Sequence, residues 1–348
     1  MSALPGGHRF RTLDGLRGLA ALLVMAHHMR LFFYDHLPEA YLAVDFFFVL
    51  SGVVIAQAYQ LRLGQGLSAP QFFRLRWARI YPYYGLGLLL GVPAVAVAFS
   101  SSGNPSHTSI ASLCGSFVFN LWMLPSPFSF ALYPFVGTAW TLAYELLVNL
   151  FYAVRLRRLQ RPVLAAIMAL AGLGLACLAF SQGSLGLGFK WGLAHEATGL
   201  ARVLYSFICG LLIQRMDRSA VPRIKPGLIL SALLLLLCME PSAAMRPVFD
   251  LAAVLLVLPL LVLLGAVSEP GGAREAGLYA FFGGVSYGVY AVHYPVVWLV
   301  GSLASAYAGG VGPVLGLLTM AAVVGVVAWL DRAYDAPLRR RLLSSGRP

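Results

Sequence analysis

The stretch RTLDGLRGLAALLVMAHHMRLFF, residues 11–33, is apolar enough to enter a membrane yet carries Asp14, Arg17, His27, His28 and Arg30. Arg17 and His28 are eleven residues apart, which at 100° per residue brings them within about 20° of one helix face. Asp14 falls within about 60° of both, and His27 about 80° away. At 1.5 Å per residue His28 lies about 16 Å deeper than Arg17, near mid-membrane if Arg17 marks the surface. An imidazole suits proton abstraction from a hydroxyl, because its unperturbed pKa of ~6.5 lies near neutral pH. A neutral histidine hydrogen-bonded within the bundle is the competing reading, but ionisable residues at that depth usually mark a functional path. Asp14 and Arg17 form an i,i+3 pair that can also serve simply to start the helix.

Further chemistry-bearing residues lie elsewhere. GTAWTLAYELLVN places Glu145 eight residues into a helix, about 12 Å below the outer surface and close to the depth of His28. If the two meet, the carboxylate can orient the ring and stabilise its charged form; an ion pair with Arg202 is the alternative. FFRLRWARIYPYY sets Arg74, Arg76 and Arg79 on a basic loop running into a helix, with Arg76 and Arg79 spaced to share a face. Guanidinium forks match phosphate geometry, although any cytoplasmic loop would be basic. GVSYGVYAVHYP steps Tyr287, Tyr290 and His293 by threes toward the outer side, suited to a polar groove, while Gly284 and Gly288 are spaced for helix packing.

These residues require a membrane scaffold. Of 348 residues 59% are hydrophobic and only 11% charged, with apolar runs recurring along the whole chain, as in a polytopic membrane protein. The runs approach the ~20 residues that a helix needs to cross, rather than the short alternating strands of a barrel. The expected fold is therefore an all-α helical bundle forming a single membrane domain over residues 1–348. The first apolar stretch is broken by ionisable residues and no small-residue cleavage site follows, so it is not read as a cleavable signal peptide. Cys114, Cys177, Cys209 and Cys238 are scattered singly, suggesting neither a disulfide framework nor a metal site. The net charge of +12 is spread over short loops, which fits membrane orientation and not nucleic-acid binding.

Eleven apolar runs are candidate spans, near residues 12–34, 42–60, 81–99, 110–124, 137–154, 162–181, 197–214, 227–240, 248–267, 277–301 and 312–331. If all cross, the basic loops 155–161 and 215–225 face away from the arginines of 72–82. If residues 109–123 dip and return, ten crossings remain, both termini are cytoplasmic, and every Lys and Arg except Arg17, Arg30, Lys190, Arg202 and Arg246 falls in a cytoplasmic segment. The second arrangement is expected.

LDGLRGLAALLVMAHH, VDFFFVLSG, the arginine segment ending RIYPYY, GTAWTLAYE and SYGVYAVHYP occur in the order seen in the membrane acyltransferase-3 family, which the chain resembles over its whole length. The resemblance implies an integral O-acyltransferase of the cell (inner or plasma) membrane, without bound cofactor or metal. Its co-substrate would be acyl-coenzyme A, commonly acetyl-CoA. The acceptor would be a hydroxyl of a carbohydrate or lipid-linked glycan. It further implies an essential Arg17 and His28, with Arg17, Arg74, Arg76 and Arg79 on the donor side and Glu145 in the central polar site. Arg202, Tyr287, Tyr290 and His293 would line the acceptor side. Many members carry an additional extracytoplasmic SGNH-type domain, which the sequence after APLRRRLLSSGRP does not show, so a one-component transferase is expected. Tyr144 in WTLAYE stands where a small or aliphatic residue is common. No serine or cysteine adjoins His28 in sequence, which favours direct attack on the thioester over an acyl-enzyme.

Two other classes compete. A transporter would use His28, Glu145 and Arg202 as a proton or substrate pathway, but has no need of a nucleotide-phosphate site. A non-catalytic partner in polysaccharide assembly leaves the central ionisable set without a purpose.

Overall fold

The computed structural model describes residues 10–33, 38–101, 109–307 and 310–344. Among these there are helices and loops but no strands, only an isolated bridge between Ala131 and Lys190. In chain order the helices are α1 (Arg11–His28), α2 (Ala43–Gly64), α3 (Ala69–Ser101), α4 (Ile110–Leu121), α5 (Ala139–Val154), α6 (Arg161–Gln182), α7 (Leu193–Arg215) and α8 (Pro226–Cys238). Next come α9 (Arg246–Ala252), α10 (Leu258–Val267), α11 (Ala273–Tyr307), α12 (Pro313–Leu330) and α13 (Ala336–Ser344).

Seven described stretches are long and apolar enough to cross a bilayer: Ala40–Gly64, Ala69–Val97, Arg161–Gln182, Leu193–Arg215, Arg246–Val267, Ala273–Tyr307 and Pro313–Leu343. α4, α5 and α8 are apolar but shorter, and α1 has 18 residues with ionisable side chains at both ends. The perimeter is as apolar as the core. α6 exposes Leu170, Leu173 and Phe180, and α12 exposes Leu317, Leu318 and Val326, a surface suited to lipid and not to water. The chain is a multi-pass membrane protein.

The span at Arg246–Val267 is one helical stretch interrupted by a π turn at Ala253–Val257. Pro259 has no N–H for the carbonyl of Leu255, four residues earlier. That carbonyl accepts the Tyr205 hydroxyl at 2.9 Å, so the break is satisfied by a neighbouring helix.

Two findings revise the sequence boundaries. α3 begins at Ala69, not near residue 81, so Arg74, Arg76 and Arg79 lie inside a helix and not on a loop. Arginine is a good helix former, and its alkyl stem tolerates an apolar flank; the apolar run understates the helix. After α4 the chain reverses. Met123 has φ 57°, the Ser116 and Ser126 hydroxyls lie 2.6 Å apart, and Asn120 Nδ2 donates to the carbonyls of Leu124 and Leu132.

The scaffold of the site is the pairing of α1 with α11, which in turn packs on α3, while α2 packs on α7. A Cβ on Gly18 would lie 2.5 Å from Cβ of Phe282, and one on Gly283 would lie 2.5 Å from Cβ of Asp14. Only hydrogen at these positions lets the two backbones approach this closely. Gly288 also packs, against Val327 and Tyr83, whereas Gly284 faces open space, so the small-residue contact expected of Gly284 is made by Gly283.

Candidate active site

α1 presents Asp14, Arg17, Ala21, Val24 and His28 in steps of three and four, the spacing that keeps one face toward a partner helix. α11 answers with Gly283, Ser286, Tyr290 and His293 in the same rhythm. As their spacing predicts, Arg17 and His28 both contact α11. Arg17 donates through Nε to Ser286 Oγ at 2.9 Å and through Nη2 to the Gly283 carbonyl at 2.5 Å, and pairs with Asp14 at 3.0 Å. His28, at the other end of the helix, has Nδ1 2.8 Å from the Val24 carbonyl and 3.2 Å from Nε2 of His293.

Around Arg17 the bundle gathers positive charge. Arg79 lies close enough to Arg17, Arg76 and Arg339 to feel their charges; its guanidinium is 3.9 Å from Asp335 and 5.8 Å from the centre of the Tyr287 ring. Arg76 pairs with Glu145 at 2.7 Å, and Ser51 donates to the same carboxylate oxygen at 3.2 Å. Nε of Arg76 is buried without a hydrogen-bond acceptor. Arg74, more exposed, donates to the Leu342 carbonyl, and Arg339 pairs with Asp335 at 2.5 Å. Guanidinium groups brought together with too few carboxylates to engage every N–H form a site for an anion with several oxygens.

At the His28 end a cavity of about 1170 Å³ opens. Its wall is built of aromatic rings, among them Phe130, Trp140, Tyr290, Tyr294 and Trp298, with His27, His28, Arg30, Glu240 and Arg246 supplying polarity. Tyr294 meets the His28 ring edge to face at 5.2 Å. Gly137, from the GTAW motif, makes this possible, since a Cβ there would sit 2.5 Å from the Tyr294 ring. Tyr290 is fixed by a 2.7 Å hydrogen bond to Thr141 Oγ1. Flat apolar faces interspersed with polar groups suit an amphipathic organic ligand with hydroxyls.

Several expected placements are revised. Glu145 does not meet His28 or Arg202. The depth argument fixes height but not azimuth, and α5 turns this carboxylate toward α2 and α3, where Arg76 and Ser51 meet it. Arg202 forms part of the cavity wall, but it is only 1% exposed and is held by both Asp45 oxygens and the carbonyls of Tyr41, Leu185 and Leu187. Its role is to tie helices together. Tyr287 belongs to the arginine end, donating to the Ile80 carbonyl, because two steps of three carry a helix position about 120° around the axis from residue 287 to 293. His293 is fully buried behind His28 and does not line the cavity. His27, expected to point away, lines the cavity too, with its ring 5.3 Å from His28. Tyr144 packs on Gly199 and donates to the Glu196 carbonyl.

Residues not singled out from the sequence include Asp45, Asp335, Ser286, Ser51 and Tyr294. For Asp45 the signal was available: an aspartate inside the apolar run AVDFFFVLSG requires a buried cation. Ser51 and Ser286 carry no such mark.

The family described as an acyltransferase domain matches residues 10–331, and the chain belongs to this family, the acyltransferase-3 family. Among relatives, "Protein 2 in picA locus" of Rhizobium radiobacter is 41% identical over 156 residues, 42% of this chain and 81% of that protein. Acyltransferase MdmB of Streptomyces mycarofaciens is 27% identical over 83% of this chain and 79% of its own length. Peptidoglycan O-acetyltransferase OatA of Listeria monocytogenes serovar 1/2a is 31% identical over 47% of this chain and 27% of its own length. No solved structure matches the chain. The protein is thus a membrane acyltransferase.

Proposed function

We propose that the protein moves an acyl group, acetyl foremost, from acyl-coenzyme A to a hydroxyl of a sugar in an exported polysaccharide or its lipid-linked precursor. The observation that carries this reading is the two-ended arrangement of α1. Arg17 stands among clustered guanidiniums, and His28, about 16 Å along the same face, lines an aromatic cavity. A donor whose phosphates rest at the arginine end extends its thioester toward His28, while the acceptor enters the cavity. His28 takes the hydroxyl proton as the oxygen attacks the thioester carbonyl. The tetrahedral intermediate then expels the thiolate, which recovers that proton from the imidazolium. The relative that acts on peptidoglycan supports a glycan acceptor. The transporter reading loses its relay, because His28, Glu145 and Arg202 belong to three separate contact networks.

In this reading the arginine end is cytoplasmic, with ten crossings of the cell membrane and both termini inside. α4 supports the count: twelve residues of helix span about 18 Å, short of a ~30 Å core, and the chain reverses directly after it. Single cysteines placed in 155–161 and 215–225, in a background lacking native cysteines, are expected to resist impermeant thiol reagents added to intact cells. Labelling of either segment overturns the ten-crossing arrangement.

The donor assignment has its own test. Arg76→Gln and Arg79→Gln are expected to weaken coenzyme A binding to the purified protein more than tenfold, the loss of a charged hydrogen bond being worth roughly 1.5–3 kcal/mol. The salt dependence of binding should also flatten. Coenzyme A affinity and salt dependence unchanged in both variants reject the phosphate site, and a wild-type protein that binds no coenzyme A rejects the transferase reading.

A further inference from the structure

His293 contributes nothing to the cavity surface, yet it sits directly behind the residue proposed as base. Its Nε2 lies 3.2 Å from His28 Nδ1, and its own Nδ1 lies 3.0 Å from the carbonyl of Val289, one turn back on α11. His28 repeats the pattern on α1, with Nδ1 2.8 Å from the carbonyl of Val24. A carbonyl oxygen only accepts, so the ring nitrogen facing it carries the proton. Both histidines are therefore protonated at Nδ1. In neutral His293 this leaves a lone pair on Nε2, which accepts from the His28 Nδ1–H that Val24 shares. In His28 it leaves the lone pair on Nε2, the polar edge available to a substrate hydroxyl in the cavity that the ring lines.

We infer that His293 is the positioning residue of His28: an imidazole takes the place that a carboxylate holds in other base-and-orienter arrangements. The inference rests on His28 being the base. The pair has a fixed direction, since each helix sets the tautomer of its own histidine through an i−4 carbonyl and neither tautomer can switch without breaking that bond. A neutral orienter also suits the location. A carboxylate here would be a buried charge whenever His28 is neutral, whereas imidazole accepts the Nδ1–H in the resting state and holds it more strongly once His28 takes up a proton. Tyr294 closes the ring's other flank at 5.2 Å and limits its rotation. His293 touches neither substrate, so its loss acts on turnover and not on binding.

The test uses the full-length protein in lipid, comparing His293→Leu, which fills space without accepting, with His293→Gln, whose amide oxygen can accept from Nδ1–H. His293→Leu is expected to lower kcat about ten- to a hundredfold, the amount one hydrogen bond to a charged group supplies, with KM for both substrates unchanged. His293→Gln should recover most of that loss. In the unmodified protein, 15N spectra of labelled histidine should show His28 as the Nδ1–H tautomer, a reading that stands even if a variant does not fold. Wild-type kcat in His293→Leu, equal impairment of the Leu and Gln variants, or an Nε2–H tautomer at His28 overturns the inference. Loss of activity in His28→Ala alongside full activity in His293→Leu removes only the positioning role, whereas an active His28→Ala removes the base itself.

Discussion

His28→Ala is expected to lower acyl transfer by about 10²- to 10⁴-fold, the contribution of a well-placed general base, while the protein still folds and binds donor. The side chain is half-buried at the end of α1, with its ring against the cavity and its Nδ1 turned to α11. Removing a neutral imidazole leaves no unpaired charge, and the bond lost to His293 leaves a single acceptor with the new space beside it. The helix pairing depends on Gly18, Gly283 and the Arg17 contacts, all a long way down α1 from this position. The loss should therefore appear in turnover at saturating donor, with coenzyme A affinity unchanged. A variant that retains activity to within about tenfold of wild type would show that His28 is not the base. His27 makes a poor control, because it lines the same cavity; His27→Ala is better read as a probe of the cavity wall.

How far this site could be read in advance depended on which geometrical quantity was needed. Within one helix, 100° and 1.5 Å per residue convert spacing into direction and height, so the shared face of Arg17 and His28 and the Asp14–Arg17 pair were legible. Between helices the same arithmetic supplies height alone. Glu145 has a height compatible with His28 and still faces Arg76, because the rotation of α5 about its own axis is set by contacts many residues away. The drift of i+3 steps likewise separates Tyr287 from His293, although the sequence shows them as one series. The apolar runs located the helices well where charge was absent and failed at α3, where three arginines lengthen the helix toward its start. His293 was visible as a polar residue, but its bond to His28 joins positions 265 apart in the chain, which no local pattern encodes.

Arg202→Met is expected to destabilise the fold by about 3–5 kcal/mol, the cost of breaking a buried ion pair from one side. Asp45 is fully buried among apolar residues of α2, and Arg202 is its cation, at 3.1 Å from Nε and 2.6 Å from Nη2. The remaining guanidinium protons bind the carbonyls of Tyr41, Leu185 and Leu187, so one side chain joins α7 to α2, to the turn before α2 and to the segment between α6 and α7. Asp250 secures the same region by accepting from Tyr41, Ser184 and the Leu185 amide. Methionine fills similar volume but satisfies none of these acceptors and leaves a carboxylate in the membrane interior. Adding Asp45→Asn should recover part of the loss by removing that charge, although the three carbonyls stay without their donor, so recovery is incomplete. Thermal unfolding of the purified single and double variants measures both steps. An Arg202→Met protein that unfolds at the wild-type temperature but needs more acceptor to reach half-maximal rate would overturn the structural role and restore Arg202 to the acceptor site.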